Sequence, residues 1–162
     1  MTRTGIVLFL LLVLAFSLFS QSAGPAAVPA LPKGFRTIEL GLSMSMVKER
    51  LLADPLYAYR GDPDVSFLPA GEQSLIECNG NSYLKRAFFQ FHEDRLYIII
   101  LSLEQEKIDY YTLYKTLIGK YGDADTLNPS AVVWSSAKVR FSLEKPLMVK
   151  YIDKVVFDTI QD

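Results

Sequence analysis

Cysteine and histidine are scarce in this chain, and each scarcity excludes a class of protein. The 162 residues contain one cysteine, Cys78, and one histidine, His92. A single cysteine cannot form an intramolecular disulfide, so Cys78 is either buried as a small hydrophobe or paired between molecules. One His and one Cys cannot supply the several ligands of a usual zinc site. We therefore predict a domain stabilised by its core, with no metal and no cofactor.

Clusters of charge of one sign are also lacking. The chain has 17 basic and 18 acidic residues and a formal net charge of −1, and no basic tail interrupts this balance. Binding to nucleic acid depends on Lys and Arg side chains gathered opposite phosphates. The composition therefore argues against a nucleic-acid partner.

Catalytic motifs are missing as well. There is no Gly-x-Ser-x-Gly elbow and no glycine-rich phosphate loop ending in Lys-Ser or Lys-Thr. His92 falls in a predicted hairpin turn, 92–95, where we interpret it as a solvated residue. Asp62 and Asp64 flank Pro63, a pattern typical of a turn, and supply too few oxygens for a calcium loop. We predict a non-catalytic protein, and the alternative is a small hydrolase whose site is not recognisable in the sequence.

What the chain does have begins with its first 22 residues. Arg3 precedes an apolar run over 6–19, and small residues follow it. A run of this length spans about 21 Å as a helix, less than the roughly 30 Å core of a bilayer. These features predict a secretory signal peptide over 1–22, cleaved after Ser22, and a periplasmic or secreted protein. The alternative is an uncleaved anchor in the inner membrane. A lipoprotein signal would need a cysteine at the cut, and Cys78 is far from it.

The remaining sequence predicts one α+β domain. Residues 23–34 hold three prolines and two glycines and predict a linker. Ser43 and Asp54-Pro55 mark the start and end of a first helix, and a second helix is predicted over 108–121, followed by Gly122. Strands are predicted over 65–68, 73–78, 86–91, 96–103, 132–134, 138–143 and 147–152, with a last apolar patch, strand or edge, over 155–157.

The order of a helix followed by strands occurs twice within the predicted domain, 35–162. The two stretches, about 35–104 and 105–160, match in the order of their predicted elements rather than in their amino-acid sequences. A unit this short cannot bury its own sheet face. We therefore predict two tandem units that share one antiparallel sheet and one core, with the helices packed on one face.

Aromatic residues are abundant: nine Tyr, ten Phe and one Trp. Tyr57 and Tyr59 follow Pro55 in a predicted loop, and Tyr111 lies at the margin of the apolar stripe of its helix. Tyrosines with one solvated end are enriched at binding surfaces. These three residues are therefore our candidate protein-binding surface. The alternative is that they close the rim of a small core.

Two short patterns resemble known envelope domains. Gly41-Leu42-Ser43 with Val47 and Leu51 resembles the Gly-x-Ser/Thr-x-x-x-Val…Leu opening of bacterial BamE/SmpA-like domains. Lys120-Tyr121-Gly122, then Trp134 and a closing hairpin, resembles the second unit of tandem-repeat exported proteins. The tandem arrangement is also similar to the β-lactamase inhibitor protein fold.

These resemblances imply a protein-binding domain or an accessory of envelope assembly, with another envelope protein as its partner. A third possibility is a carrier of a small apolar ligand held between helix and sheet.

Overall fold

The computed structural model describes residues 30–67 and 73–161. The predicted signal peptide and the first part of the predicted linker lie outside the described residues. Residues 30–33 form neither helix nor strand, and the first strand begins at Gly34, the last residue of the predicted linker.

Within the described residues the chain forms three α-helices and eleven strands. The helices are α1 (Met44–Ala53), α2 (Tyr110–Tyr121) and α3 (Lys154–Gln161). The strands are β1 (Gly34–Phe35), β2 (Ile38–Glu39), β3 (Tyr57–Ala58), β4 (Val65–Phe67), β5 (Gln73–Gly80), β6 (Leu84–His92), β7 (Arg95–Leu103), β8 (Thr126–Leu127), β9 (Ala131–Ser135), β10 (Val139–Glu144) and β11 (Met148–Asp153).

Nine of these strands form a single sheet in which every pair is antiparallel. Their order is β3-β5-β6-β7-β11-β10-β9-β8, with β4 also paired to β5, while β1 and β2 form a separate hairpin. The predicted α+β class with antiparallel strands is therefore confirmed.

The strand with the longest apolar run, β7, lies in the middle of the sheet. It pairs with β6 on one side and with β11 on the other, where Ile99 lies opposite Tyr151 and Leu101 opposite Val149. The sheet thus continues from the first half of the chain into the second through one antiparallel pair of strands.

The first helix begins and ends where the sequence predicts; the second ends where predicted, at Gly122, but begins at Tyr110 rather than at 108, with Asp109 as its N-cap. The Ser43 hydroxyl accepts the backbone N–H of Met46 (3.4 Å), and α1 ends at Ala53, ahead of Asp54-Pro55. The Asp109 carboxylate accepts the N–H of Thr112 (2.8 Å) at the start of α2. Gly122 closes α2 with a positive φ of 78° and donates its N–H to the Ile118 carbonyl (2.8 Å).

The buried core lies between these helices and one face of the sheet. Val47 and Leu51 of α1 and Tyr121 of α2 belong to one cluster of buried side chains. Alternate sheet residues complete it: Ile76, Cys78, Ala87, Phe89, Phe91, Ile99, Leu101, Val132, Trp134, Phe141, Leu143, Val149 and Tyr151. Phe141 lies at the centre of an aromatic group, with ring centroids 5.1–5.5 Å from Tyr121, Trp134 and Tyr151.

The prediction of a strand or edge over 155–157 is wrong, because these residues lie in α3. The Asp153 carboxylate accepts the N–H groups of Val155 (3.1 Å) and Val156 (3.3 Å), which starts a helix directly after β11. Arg95 holds this carboxylate from the other side, at 3.0 Å. No helix within residues 30–67 and 73–161 is long and apolar enough to cross a membrane.

One edge of the sheet is interrupted. Both β3 and β4 pair with β5, β3 at Asn79–Gly80 and β4 at Ser74–Ile76, so no described strand pairs with Glu77 and Cys78 on that side. The chain between β3 and β4 includes a short 3-10 helix, Asp62–Asp64, and its Tyr59 and Asp64 are buried.

Candidate functional site

The sheet face that points away from α1 and α2 carries an unusual number of apolar side chains. We call it the open face and define it by Phe88, Ile98, Ile100, Val133 and Ile152. The strand register places Phe88 beside Ile100 and Ile98 beside Ile152, so these four side chains form a continuous patch over β6, β7 and β11. Val133 lies farther along the same face, beyond Ser142 of β10. Of these, Ile98 is buried and the others are half-buried.

Charged and polar residues border the patch. On the β5–β6 side, Arg86 and Glu77 form an ion pair at 3.0 Å. On the β10–β11 side, Lys150 and Glu144 form another at 2.6 Å, and the Ser142 hydroxyl donates to the same Glu144 carboxylate (2.9 Å). An apolar centre with a polar margin is the composition of protein interfaces.

Helix α3 stands at one end of the open face. Its Phe157 lines a groove of about 660 Å³ together with Ile98, Ile100, Val133 and Ile152. The helix buries none of its residues, and its Val155 is 58 % exposed. Charged and polar residues line the same groove, among them Arg140, Glu144 and Lys150, so the open face and α3 form one groove with an apolar part and a charged part.

Two of the three predicted surface tyrosines are not on the surface, so that prediction is wrong for them. Tyr57 and Tyr59 are buried, because 57–58 form β3 at the sheet edge rather than a loop. The Tyr57 ring packs edge-on against Phe89 (5.8 Å between centroids). Neither hydroxyl has a hydrogen-bond partner among the described residues. These two residues support the core.

Tyr111 is exposed (65 %), in agreement with its predicted position at the margin of the apolar stripe of its helix. It lies on α2 beside Tyr114, with 6.2 Å between ring centroids. Since α2 packs against the opposite side of the sheet, the structure does not bring Tyr111 to the open face. The three tyrosines do not form one surface.

The other residues considered for chemistry are spread over the molecule. Asp64 is buried and held by Arg60, whose Nε and Nη2 reach one carboxylate oxygen at 2.9 and 2.5 Å. Asp125 accepts the N–H of Ser135. The prediction that His92 is a solvated turn residue is wrong, because it is the last residue of β6, is half-buried and packs edge-on against Tyr97 (6.5 Å). No three His, Cys, Asp or Glu side chains of the described residues come close enough to share a metal ion.

Cys78 is a free, buried thiol. Burial, with smaller contributions from the Asp64 and Glu77 carboxylates, raises its pKa to about 12. A thiol with so high a pKa is a poor nucleophile. The prediction of a buried small hydrophobe is confirmed.

A signal for the open face was present in the sequence. Strand 96–103 is apolar at both odd and even positions. Such a pattern is typical of a strand that is covered on both faces. The structure shows the first two helices on one face only, so the even positions, Ile98 and Ile100, mark the uncovered side.

The fold and its surface define a class: an α+β domain whose nine-stranded antiparallel sheet has helices α1 and α2 on one face and an apolar patch on the other. Residues 33–162 match the TP0088 domain family, and the chain belongs to that family. No curated protein and no solved structure matches the chain. The resemblance to BamE/SmpA-like domains and to the β-lactamase inhibitor protein stays a prediction.

Proposed function

We propose that this protein is a non-catalytic, exported domain that binds another envelope protein through the open face. The observation that carries the proposal is the apolar patch on the face of the sheet that α1 and α2 do not cover. Contiguous apolar surface that a monomer leaves uncovered marks interaction sites. Its position at the centre of the sheet, where each strand is paired on both sides, also suits a preformed binding surface.

The dimensions of the open face suit a protein partner. From β6 to β9 the face crosses five strands, whose four spacings of about 4.8 Å give roughly 19 Å. An α-helix with its side chains is about 10–12 Å across, so the face accommodates one or two partner helices. The ion pairs at its margin supply polar groups that select orientation.

We further propose that the sheet is built from two tandem units. In each half of the chain a helix precedes three consecutive antiparallel strands, β5-β6-β7 in the first and β9-β10-β11 in the second. The last strands of the two halves pair with each other, which relates the units by an approximate two-fold axis. In this arrangement the two units share one core, and both contribute to the open face.

The proposed location follows from the leader. The sequence over 1–22 has the features of a secretory signal peptide, so the domain works in the periplasm or outside the cell, either free after cleavage near Ser22 or held by an uncleaved anchor. The partner is then a protein of the same compartment.

The test is capture of a partner by the full chain and by two charge-introducing variants. Ile100→Lys places a charge in the middle of the open face, whereas Leu52→Lys makes the same change at a residue of α1 that is already 69 % exposed. We expect the unaltered protein and Leu52→Lys to retain the same envelope protein, and Ile100→Lys to lose it. Thermal unfolding of both variants checks that the fold persists.

A photo-reactive phenylalanine at position 88, 100 or 52 gives a second readout inside cells. A discrete cross-linked product from positions 88 and 100, and none from 52, supports the proposal. Absence of any reproducible partner, or equal loss of binding in Leu52→Lys, would contradict it.

A further inference from the structure

A cavity lies between α2 and the sheet on the side opposite the open face. Its volume is about 410 Å³, and its lining comes mainly from α2, β7, β10 and β11, with Pro32 and Gly34–Arg36 on a further side. This volume lies near the lower end of the range for small-molecule sites, roughly 300–1,000 Å³. The cavity is therefore large enough for one slender ligand and too small for a two-chain lipid.

Tyrosine side chains hold both ends of α2 against the sheet. At one end Tyr121 packs on Phe141, with ring centroids 5.5 Å apart. At the other end the Tyr110 hydroxyl donates to the Leu143 carbonyl (3.4 Å). The residues between these two tyrosines, Leu113 and Leu117, are shorter, so they face the sheet but stay only half-buried.

The interior is apolar and the rim is cationic. Leu101, Leu103 and Val149 from the sheet face Leu113 and Leu117 from the helix. Among the described lining residues there are two cations, Arg36 and Lys120, and no carboxylate.

Both cations are solvent-accessible at the rim. The Arg36 side chain, 47 % exposed, is fixed there because its Nε–H donates to Asp54 Oδ2 at 2.5 Å. Lys120 is exposed, with its ammonium 5.2 Å from the centre of the Tyr121 ring. Counting the Asp54 carboxylate, the rim keeps one net positive charge.

We propose that this cavity binds a single-chain amphiphile with an acidic head group. The alkyl chain lies between α2 and the sheet, along Leu113, Leu117 and Val149, and the head group meets Arg36 and Lys120 at the rim. An apolar chain gains from leaving water, and an anion gains from the two cations. This binding site is independent of the open face and of any protein partner.

The test uses the full chain, expressed with its own leader and purified without detergent. Dodecanoate and dodecyl phosphate, each below its micelle-forming concentration, serve as acidic probes in isothermal titration calorimetry. Dodecanol and dodecyltrimethylammonium carry the same chain with a neutral and a cationic head group. We expect one molecule of an acidic probe per chain, weaker binding of dodecanol and no binding of dodecyltrimethylammonium. The tighter of the two acidic probes identifies the head group.

Matched variants locate the ligand. Leu117→Phe fills part of the cavity and should weaken the acidic probe about tenfold, the cost of excluding one or two methylene groups. Leu52→Phe makes the same change on the surface of α1 and should leave affinity unchanged. Lys120→Gln should weaken binding about threefold, as removal of an exposed charge pair does. Lys115→Gln, on the outer side of the same helix, should have no effect.

Several results would overturn the proposal. They are no saturable binding of either acidic probe, equal affinity for the cationic probe, or unchanged affinity in Leu117→Phe. Equal affinity for dodecanol and the acidic probes, or an unchanged affinity in Lys120→Gln, would overturn the assignment of the head group to the cationic rim. Native mass spectrometry of the purified chain adds an independent readout, since a retained passenger would appear as a fixed mass increment that Leu117→Phe reduces.

Discussion

Cys78 is a residue whose chemistry is strongly altered by its surroundings. It is 2 % exposed, and burial raises the pKa of its thiol from 9.0 to about 12. At pH 8 this lowers the thiolate fraction about a thousandfold. We expect a thiol-specific reagent to label the native protein at least that much more slowly than the urea-unfolded protein, measured as a labelling rate. Equal rates in the two states would show that the thiol is accessible.

Tyr57 carries a hydroxyl that is buried without a partner among the described residues. A buried polar group without a hydrogen bond costs free energy, so Tyr57→Phe should leave stability unchanged or raise it by up to about 1 kcal/mol. Tyr110→Phe is the matched control, because it removes a hydroxyl that donates to the Leu143 carbonyl, and it should lower stability slightly. Urea unfolding measures both. A clear loss of stability in Tyr57→Phe would mean that its hydroxyl has an essential partner.

For single residues, the sequence predicted which side chains of the helices and strands pack in the core, but it did not predict which tyrosines are exposed. The inner positions Val47, Phe89 and Phe141 could be predicted from periodicity, and all are buried. Tyr57 and Tyr59 could not, because the pairing that makes 57–58 an edge strand is with Asn79–Gly80, more than twenty residues away.

Two glycines near the end of α2 behave oppositely when a methyl group is added. Gly122 has φ 78° and ψ −168°, a conformation that is open essentially only to glycine. Gly122→Ala should therefore lower stability by about 1–3 kcal/mol. Gly119 lies inside the helix with no atom within 4 Å of the position of an added Cβ. Gly119→Ala should raise stability by up to about 1 kcal/mol, the difference in helix propensity.

Thermal or urea unfolding of the two variants distinguishes these effects. If both substitutions change stability in the same direction, the conformation described for Gly122 is not the one that closes the helix in solution.

Helices and strands with a clear cap or a clear hydrophobic periodicity could be predicted from the sequence. Helix α3 has neither, and it was predicted as a strand or edge. A Val-Val-Phe run favours a strand by composition, and its helical start depends on Asp153, whose position is fixed by Arg95 of another strand. The position of the open face could not be predicted either, because it also depends on distant parts of the chain. The sequence shows that β7 is apolar on both sides, but which side a helix covers depends on the path of the whole chain.

The pairing of β7 with β11 joins the two halves of the molecule. If the proposed units share one core, a defect at this junction must weaken both. Leu101, opposite Val149, is buried, and Leu101→Ala should cost about 3 kcal/mol. Trp134, the one tryptophan, reports on the second half by fluorescence, and labelling of Cys78 reports on the first. Both probes should show the same shift in urea midpoint, and separate midpoints would contradict a shared core.

Stability of the whole molecule should fall at alkaline pH. Burial raises the pKa of Cys78, and also those of Tyr57 and Tyr151, above their unfolded values. Stability from such groups is complete below the unfolded pKa, near 9 for the thiol, and is lost as the pH rises towards the folded value. At pH 10.5 Cys78 alone should cost about 2 kcal/mol relative to pH 7.

Urea unfolding at the two pH values tests this expectation. Cys78→Ala is the control, because it removes one of the three groups and should reduce the fall. An equal fall in Cys78→Ala would mean that the thiol does not contribute.

The interrupted edge of the sheet has a consequence for how molecules behave beside one another. A long straight outer strand would offer its free amide and carbonyl groups to a second copy, and such contacts between partly folded chains grow into aggregates. Here one border is divided between two short strands, β3 and β4, and the other border is a strand of two residues. Within residues 30–67 and 73–161 neither border presents a template long enough for a neighbouring sheet to continue, so association between copies is discouraged at these edges.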